Sequence, residues 1–121
     1  MGYLARRWRS VCFAWQGLQH LLATQANARI HLAATVLVLL AGGYCHISRL
    51  EWLALVGAIA WVWVAEALNT GIECVVDLAS PELHPKAGQA KDVAAAAVLL
   101  ASVAAVVVGV LIFGPKLMQV L

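Results

Sequence analysis

Long apolar stretches alternate with short polar segments along this chain. Residues 3–24 place apolar side chains at steps of three and four with arginine, glutamine and histidine opposite, which predicts an amphipathic helix on the membrane surface. Three later stretches, 30–47, 52–79 and 92–113, are apolar and long enough to cross about 30 Å of hydrocarbon. The pattern therefore predicts an all-α membrane protein with one domain over residues 1–121.

Charged residues, glycine and proline predict where the helices end. A polar turn is expected from His46 to Glu51, and Pro81 and Pro85 indicate a short loop after the second transmembrane helix. The pair Gly114-Pro115 is predicted to end the third transmembrane helix. The surface helix before them is either a simple anchor or also a cover for a site within the membrane.

Four polar residues interrupt the second predicted transmembrane helix. Glu66, Asn69, Glu73 and Asp77 lie at offsets of 0, 3, 7 and 11. Because a helix turns by about 100° per residue, these side chains fall within roughly 80° of one another. They are predicted to form one polar stripe on an otherwise apolar helix.

Composition narrows the class of protein. Hydrophobic residues make up 64% of the chain and charged residues only 12%, which is typical of an integral membrane protein. The net charge of +2 is too small to indicate a nucleic-acid surface. Cys12, Cys45 and Cys74 have no CxxC spacing, so neither a zinc site nor a disulfide framework is indicated.

The distribution of lysine and arginine predicts the orientation. One side of the predicted membrane carries Arg6, Arg7, Arg9, Arg29, Lys86 and Lys91, and the other carries Arg49 and Lys116. Positive residues favour the cytoplasmic side, so the N-terminus and the 80–90 loop are predicted to be cytoplasmic. The polar stripe then enters the membrane from the cytoplasmic leaflet.

Acidic residues within the membrane need a compensating interaction, because each costs at least about 2.5 kcal/mol near the bilayer centre. Their oxygens suit a divalent cation, and a carboxylate that is not bound to the metal suits a general base. Three other roles stay open: hydrogen bonds between helices, a structural scaffold, or a small ion-coupled transporter in which Glu66 exchanges protons with a cationic substrate. The sequence has no GxxxxGK[ST] phosphate-binding loop.

Other polar and aromatic residues within the membrane segments are assigned structural roles. His31, near the start of the first transmembrane segment, is predicted to be a satisfied interfacial group rather than a metal ligand. Trp61 and Trp63 are predicted to pack against other helices or face lipid rather than bind a ligand.

Two blocks of sequence resemble the small prokaryotic diacylglycerol kinase family. EALNTGIECVVD at 66–77 matches the family's signature, and HPKAGQAKDVAAAAVLL at 84–100 matches its second block at the same spacing. The resemblance extends over essentially the whole chain, through NARIHL at 27–32 to IFGPKL at 112–117. The NARIH and HP details resemble the branch that phosphorylates undecaprenol more than the diacylglycerol branch.

The resemblance implies a homotrimer of three-span protomers, each with an N-terminal surface helix, in the bacterial inner membrane. The implied activity is phosphorylation of the primary hydroxyl of a membrane lipid, with undecaprenol favoured over diacylglycerol. ATP would be the phosphoryl donor and magnesium the metal. The N-terminus and the active site would lie on the cytoplasmic side.

The resemblance also assigns roles along the polar stripe. Glu66 is similar to the family's catalytic base, and Asn69 to its positioning amide. Glu73 resembles a magnesium ligand that also organises the ATP phosphates. Asp77, one turn further on, resembles a supporting acid.

The nucleotide side of the implied site draws on three parts of the chain. Lys91 resembles the phosphate-binding lysine, held by Asp92. The remaining implied nucleotide contacts come from the loop before the third transmembrane helix and from the surface helix: Glu82, Leu83, His84, Arg6 and Phe13.

One residue departs from the family's pattern. Many members have a glutamate in the turn after the surface helix as a second metal ligand, whereas this chain has Gln25. An amide oxygen can ligate magnesium but adds no negative charge. We therefore expect weaker metal binding, or Asp77 or a phosphate oxygen in the same role.

Overall fold

The structure, a computed structural model, describes residues 2–121. An all-α fold is confirmed, with four helices within these residues: α1 Tyr3–Thr24, α2 Ala26–Tyr44, α3 Arg49–Ala79 and α4 Pro85–Val120. Of these, α2, α3 and α4 are long and apolar enough to cross a membrane.

The last helix is longer than the sequence pattern predicted. It starts at Pro85, where His84 caps the helix and proline occupies the first turn without losing a needed N–H. It continues through Pro115 to Val120, so the predicted end at Gly114-Pro115 is wrong. Gly114 has no Cβ to clash with the proline ring, which leaves the helical conformation accessible to the residue before proline. The 36 residues span about 54 Å, so α4 extends beyond the hydrocarbon.

The turn between α2 and α3 is tight and well capped. The N–H groups of His46 and Ile47 donate to the carbonyls of Gly43 and Gly42 at 3.3 and 3.2 Å, closing a Schellman motif at the end of α2. His46 takes the left-handed conformation, with φ of 51°, at the position where glycine is usual. Ser48 then caps α3, which begins three residues earlier than the predicted transmembrane segment.

The apolar core lies beside this turn, in a region called here the apolar end. Ile47, Leu55 and Ile112 are buried together, and these partly buried side chains pack around them: Val38, Cys45, Trp52, Ile59, Val108 and Phe113. Lys116 and Glu51 form an ion pair at 3.2 Å close by. This cluster packs α3 against α4, and these two helices are the most extensively packed pair in the structure.

A hydrogen-bonded chain joins α2 to α3 near the middle of the bundle. The indole Nε1–H of Trp63 donates to Thr35 Oγ1 at 3.0 Å, and the Thr35 hydroxyl donates to the carbonyl of His31 at 2.7 Å. Trp61, by contrast, is exposed on the outside of α3. The structure thus gives Trp63 a packing role, as predicted.

Candidate active site

The side chains of the polar stripe on α3 become less buried from Glu66 to Asp77. The Glu66 side chain is fully buried, at 1% exposure, and Asn69 is buried at 8%. Glu73 is half-buried and Asp77 is exposed. Glu66 lies 17 positions after the first residue of α3, roughly 26 Å along the helix axis. The stripe therefore leads from a solvent-exposed acid to a carboxylate enclosed by helices.

Four polar atoms around Glu66 are enclosed without a hydrogen-bond partner among the described residues. They are His31 Nε2, Glu66 Oε2, Asn69 Oδ1 and Thr70 Oγ1, and their residues are called here the buried polar cluster. An unsatisfied buried polar atom costs about 1–3 kcal/mol and is rare in folded proteins. Their concentration within about one turn of α3, where His31 of α2 meets it, marks a candidate functional site.

Asn69 lies on the stripe between the buried carboxylate and the next acid, Glu73. Its Nδ2 donates to Glu73 Oε1 at 3.2 Å, one helical turn away. This bond fixes the amide so that its oxygen, Oδ1, is the atom left unpartnered. Asn69 therefore orients Glu73 and still offers an acceptor oxygen to a ligand.

His31 on α2 faces the buried carboxylate. Its Nε2 lies 3.5 Å from Glu66 Oε2, and its side chain is only 18% exposed. The prediction that His31 is a satisfied interfacial group is wrong, because Nε2 has no hydrogen-bond partner within residues 2–121. The available sequence signal was an ionisable side chain inside an apolar segment, which by default indicates a functional site.

A second, more exposed group of predicted residues meets where α3 ends and α4 begins. A cleft of about 400 Å³ at this place, called here the loop cleft, is lined by Val76, Asp77, Ser80, Pro81, Glu82, Leu83, His84, Pro85, Ala87, Gly88 and Lys91. Local bonds shape it: Ser80 Oγ donates to the Glu82 carbonyl at 2.9 Å, and His84 Nδ1 accepts from the Lys86 N–H at 3.1 Å. Most residues predicted to contact a nucleotide outside α1 thus share one cleft.

The partner of Lys91 differs from the prediction. Its ammonium group donates to Asp77 Oδ1 on α3, so the expectation that Asp92 holds Lys91 is wrong. Consecutive residues in a helix point about 100° apart, so Asp92 cannot share the direction of Lys91. Asp92 is exposed. The Lys91–Asp77 pair instead joins the two helices at the mouth of the loop cleft.

The remaining predicted residues lie on or beside α1. Arg6 and Phe13 are on its exposed surface, apart from the loop cleft. Gln25 is the half-buried, extended residue between α1 and α2. The second half of α1 lies against α3, where Leu21 and Thr70 line the same small cleft. That contact covers one side of the buried polar cluster.

An apolar groove runs along α3 and α4 on the outside of the bundle. It has a volume of about 1160 Å³, and Trp61, Leu68 and Leu100 are among the side chains that line it. Asn69, Lys86 and Gln89 provide polar groups in its lining. Asn69 is thus the member of the buried polar cluster that reaches this groove.

The oxygen atoms of the stripe fit a magnesium ion only when it is bound with phosphate. Among residues 2–121, no group of three or more His, Cys, Asp or Glu side chains is placed to hold a metal by itself. Magnesium in kinases is usually held by one or two carboxylates together with water and substrate phosphates. Glu73 supplies a half-buried carboxylate, and Asn69 Oδ1 is an unpartnered hard donor. These donors fit a magnesium–nucleotide complex.

The fold and site define a small helical membrane protein with an enclosed carboxylate on one span and an ion-paired cleft at one end. The family model for prokaryotic diacylglycerol kinase matches residues 12–113. The chain belongs to this family.

Curated relatives support the same assignment. The chain is 39% identical to undecaprenol kinase of Bacillus subtilis over 114 residues, covering 94% of this chain and 93% of that protein. It is 40% identical to a diacylglycerol kinase of Synechocystis over 110 residues, covering 90% and 63%. It is 32% identical to diacylglycerol kinase of Escherichia coli K12 over 95 residues, covering 78% of each. The chain is thus a lipid kinase, and the transporter alternative is not favoured.

Proposed function

We propose that this protein transfers the γ-phosphoryl group of ATP to the primary hydroxyl of a membrane lipid, with undecaprenol favoured over diacylglycerol. The relative named undecaprenol kinase matches nearly the full length of both chains, which supports this preference. The site would lie at the cytoplasmic face of the bacterial inner membrane. The excess of lysine and arginine on the side of the N-terminus and the 80–90 loop supports that orientation.

The observation that carries the proposal is the Glu66 carboxylate, which is enclosed at 1% exposure within a helix apolar enough to cross a membrane. In the proposed reaction this carboxylate accepts the proton of the lipid hydroxyl. The hydroxyl oxygen bonds to the γ-phosphorus while the bond to the departing ADP oxygen breaks. Glu66 is closed off from solvent, so the side chains around it must move to admit the hydroxyl.

The other residues of the stripe position the nucleotide. Asn69 holds Glu73 through its amide, and Glu73 would ligate magnesium, with Gln25 as a second ligand. Magnesium, when bound, neutralises charge on the phosphates. Lys91 would exchange its bond to Asp77 for one to a phosphate, which a mobile, partly exposed ammonium group can do.

The loop cleft would hold the rest of the nucleotide. Its lining includes Glu82, Leu83 and His84, and the capping bond of His84 fixes that ring through Nδ1. Arg6 and Phe13 would approach the nucleotide from α1, and Asp92 would contribute charge at the start of α4.

We also propose that the protein works as a homotrimer with α1 on the membrane surface. Many large apolar side chains, such as Leu40 and Leu111, point outwards, where lipid or a neighbouring protomer can cover them.

The test is phosphoryl transfer in mixed micelles with labelled ATP, magnesium and undecaprenol or diacylglycerol, alone and in competition. Glu66→Gln removes the base and keeps the size of the side chain, so we expect a loss of about 10²–10⁴-fold in kcat. Glu51→Gln, at the apolar end, is the matched control and should retain activity. Absence of lipid phosphorylation, or full activity of Glu66→Gln, contradicts the proposal. Preference for diacylglycerol in the competition would refute the substrate assignment alone.

A further inference from the structure

The His31 and Glu66 side chains form an incomplete pair. His31 Nε2 and Glu66 Oε2 are 3.5 Å apart, and each atom is buried without a hydrogen-bond partner among the described residues. A hydrogen bond between nitrogen and oxygen is usually about 2.9 Å long. The two atoms are therefore about 0.6 Å further apart than in a usual hydrogen bond, and formation of that bond would satisfy both of them.

The other members of the buried polar cluster, Asn69 and Thr70, lie on the same helix as Glu66. Asn69 Nδ2 donates to Glu73, and the Thr70 hydroxyl has no hydrogen-bond partner among the described residues. On the α1 side, His20 lines the small cleft that also includes Thr70. A carboxylate so enclosed is costly in its ionised form unless a donor meets it. Across the interface with α2, His31 is the side chain that the structure sets against it.

The backbone of His31 is held while its ring has room to move. The carbonyl of His31 accepts from the Thr35 hydroxyl, which in turn accepts from the Trp63 indole of α3. His31 also lines a cavity of about 340 Å³ between α2, α3 and α4. The α2 segment that carries His31 is thus tied to the helix that carries Glu66, close to where the two side chains face each other.

We propose that His31 is a positioning residue for the catalytic base. Its Nε2–H donates to Glu66 Oε2, which fixes that oxygen and directs the other oxygen, Oε1, at the lipid hydroxyl. The role in turnover rests on the proposed function of Glu66, whereas the pairing of the two side chains does not. Nothing in the family resemblance assigns His31 a part in the reaction.

The kinetic test compares three variants in the mixed-micelle assay. His31→Leu removes the donor, and we expect kcat to fall by about 10²-fold with the KM for ATP within about twofold. His31→Gln places an amide donor in reach of Oε2, and we expect it to recover at least about tenfold of that loss. The control His46→Asn replaces an exposed histidine at the apolar end and should stay within about twofold of the parent chain. Unchanged kcat in His31→Leu, or equal losses in the Leu and Gln variants, would overturn the proposal.

A spectroscopic measurement separates the pair from the reaction. Infrared difference spectra of the protein without ATP or lipid report the hydrogen bonding of a buried carboxyl group. The Glu66 band is identified by its loss in Glu66→Gln, and we expect it to shift in His31→Leu and to return towards its parent position in His31→Gln. An unshifted Glu66 band in folded His31→Leu overturns the pairing. If the band shifts but the parent chain phosphorylates no lipid, the pairing stands and the proposed function fails.

Discussion

The apolar end and the buried polar cluster differ in how completely their buried groups are satisfied. At the apolar end, Ile47, Leu55 and Ile112 bury side chains without polar atoms, and the nearby charges of Glu51 and Lys116 neutralise each other at 3.2 Å. Around Glu66 the same helices enclose carboxylate, amide, hydroxyl and imidazole groups with atoms left unpartnered. The first region has the composition of a stable core, and the second has the composition of a functional site.

This difference separates stability from function along α3. Buried polar atoms without partners persist only where the rest of the structure compensates for their cost, and they concentrate at functional sites. The packing around Leu55 fixes α3 against its neighbours. That alignment holds Glu66 in a position it would not adopt for stability alone.

The largest expected difference between the two regions comes from replacing, one at a time, the two lysines that pair with acids. Lys91→Met should lower kcat by about 10²-fold, equivalent to about 2.7 kcal/mol, because a phosphate would lose a positive partner. Lys116→Met removes the other ion pair and should leave kcat within about twofold. Initial rates at saturating ATP, magnesium and lipid provide the measurement. Equal losses of kcat in the two variants would contradict the proposed difference between the candidate site and the apolar end.

Leu55→Ala tests the apolar end. The side chain is 3% exposed in the core, so its truncation leaves a cavity, and we expect a loss of about 1–3 kcal/mol in unfolding free energy. Activity per folded molecule should stay close to that of the parent chain. Denaturant unfolding in micelles checks the stability, and Val56→Ala, at an exposed neighbouring position, is the control. A loss of activity without a loss of stability would place Leu55 in the site's machinery instead.

Gly42→Ala tests the close approach of α2 to α3. A Cβ at this position would lie 2.7 Å from Trp52 Cη2, so the indole or the helix must shift. We expect the free energy of unfolding to fall by about 1–2 kcal/mol, which is within the range for overpacked cores. Gly43→Ala, which meets nothing within 4 Å, is the matched control. Thermal unfolding of both variants in the same detergent decides the outcome, and equal melting temperatures would contradict the close contact.

The smallest effect is expected at Gln25. If Gln25 is a magnesium ligand, Gln25→Glu adds a negative charge and should lower the magnesium concentration for half-maximal turnover by about three- to tenfold. The rate at saturating magnesium should change little. Titration of activity with magnesium at fixed ATP makes the comparison, with Gln19→Glu on exposed α1 as control. An unchanged magnesium dependence would exclude Gln25 as a ligand.

Much of the fold could be predicted from the periodicity and length of the apolar stretches. Apolar runs predicted three membrane-crossing helices, and their number and order are those of the structure. Helix ends were less predictable because they depend on local capping. His84 and Pro85 start α4 earlier than its apolar run suggests, and Pro115 fails to stop it.

The polar stripe could be predicted from the sequence because helical spacing is a local property. Residues 3, 7 and 11 positions after Glu66 must share its face in any α-helix. The different burial of these four side chains could not be predicted, because it depends on which helices cover each turn of α3. The partner of Lys91 was mispredicted for the same reason: Asp92 is adjacent in sequence, whereas Asp77 is adjacent in space.

By itself the sequence determined an all-helical membrane protein, the polar stripe of α3 and, through its two signature blocks, a kinase family. These depend on composition, periodicity and local motifs, which need no knowledge of long-range contacts. Only the tertiary structure decided that Glu66 is enclosed, that His31 faces it, and that Lys91 meets Asp77. Each of those facts joins residues from different helices or depends on which helices surround a side chain, and helix packing alone sets such distances.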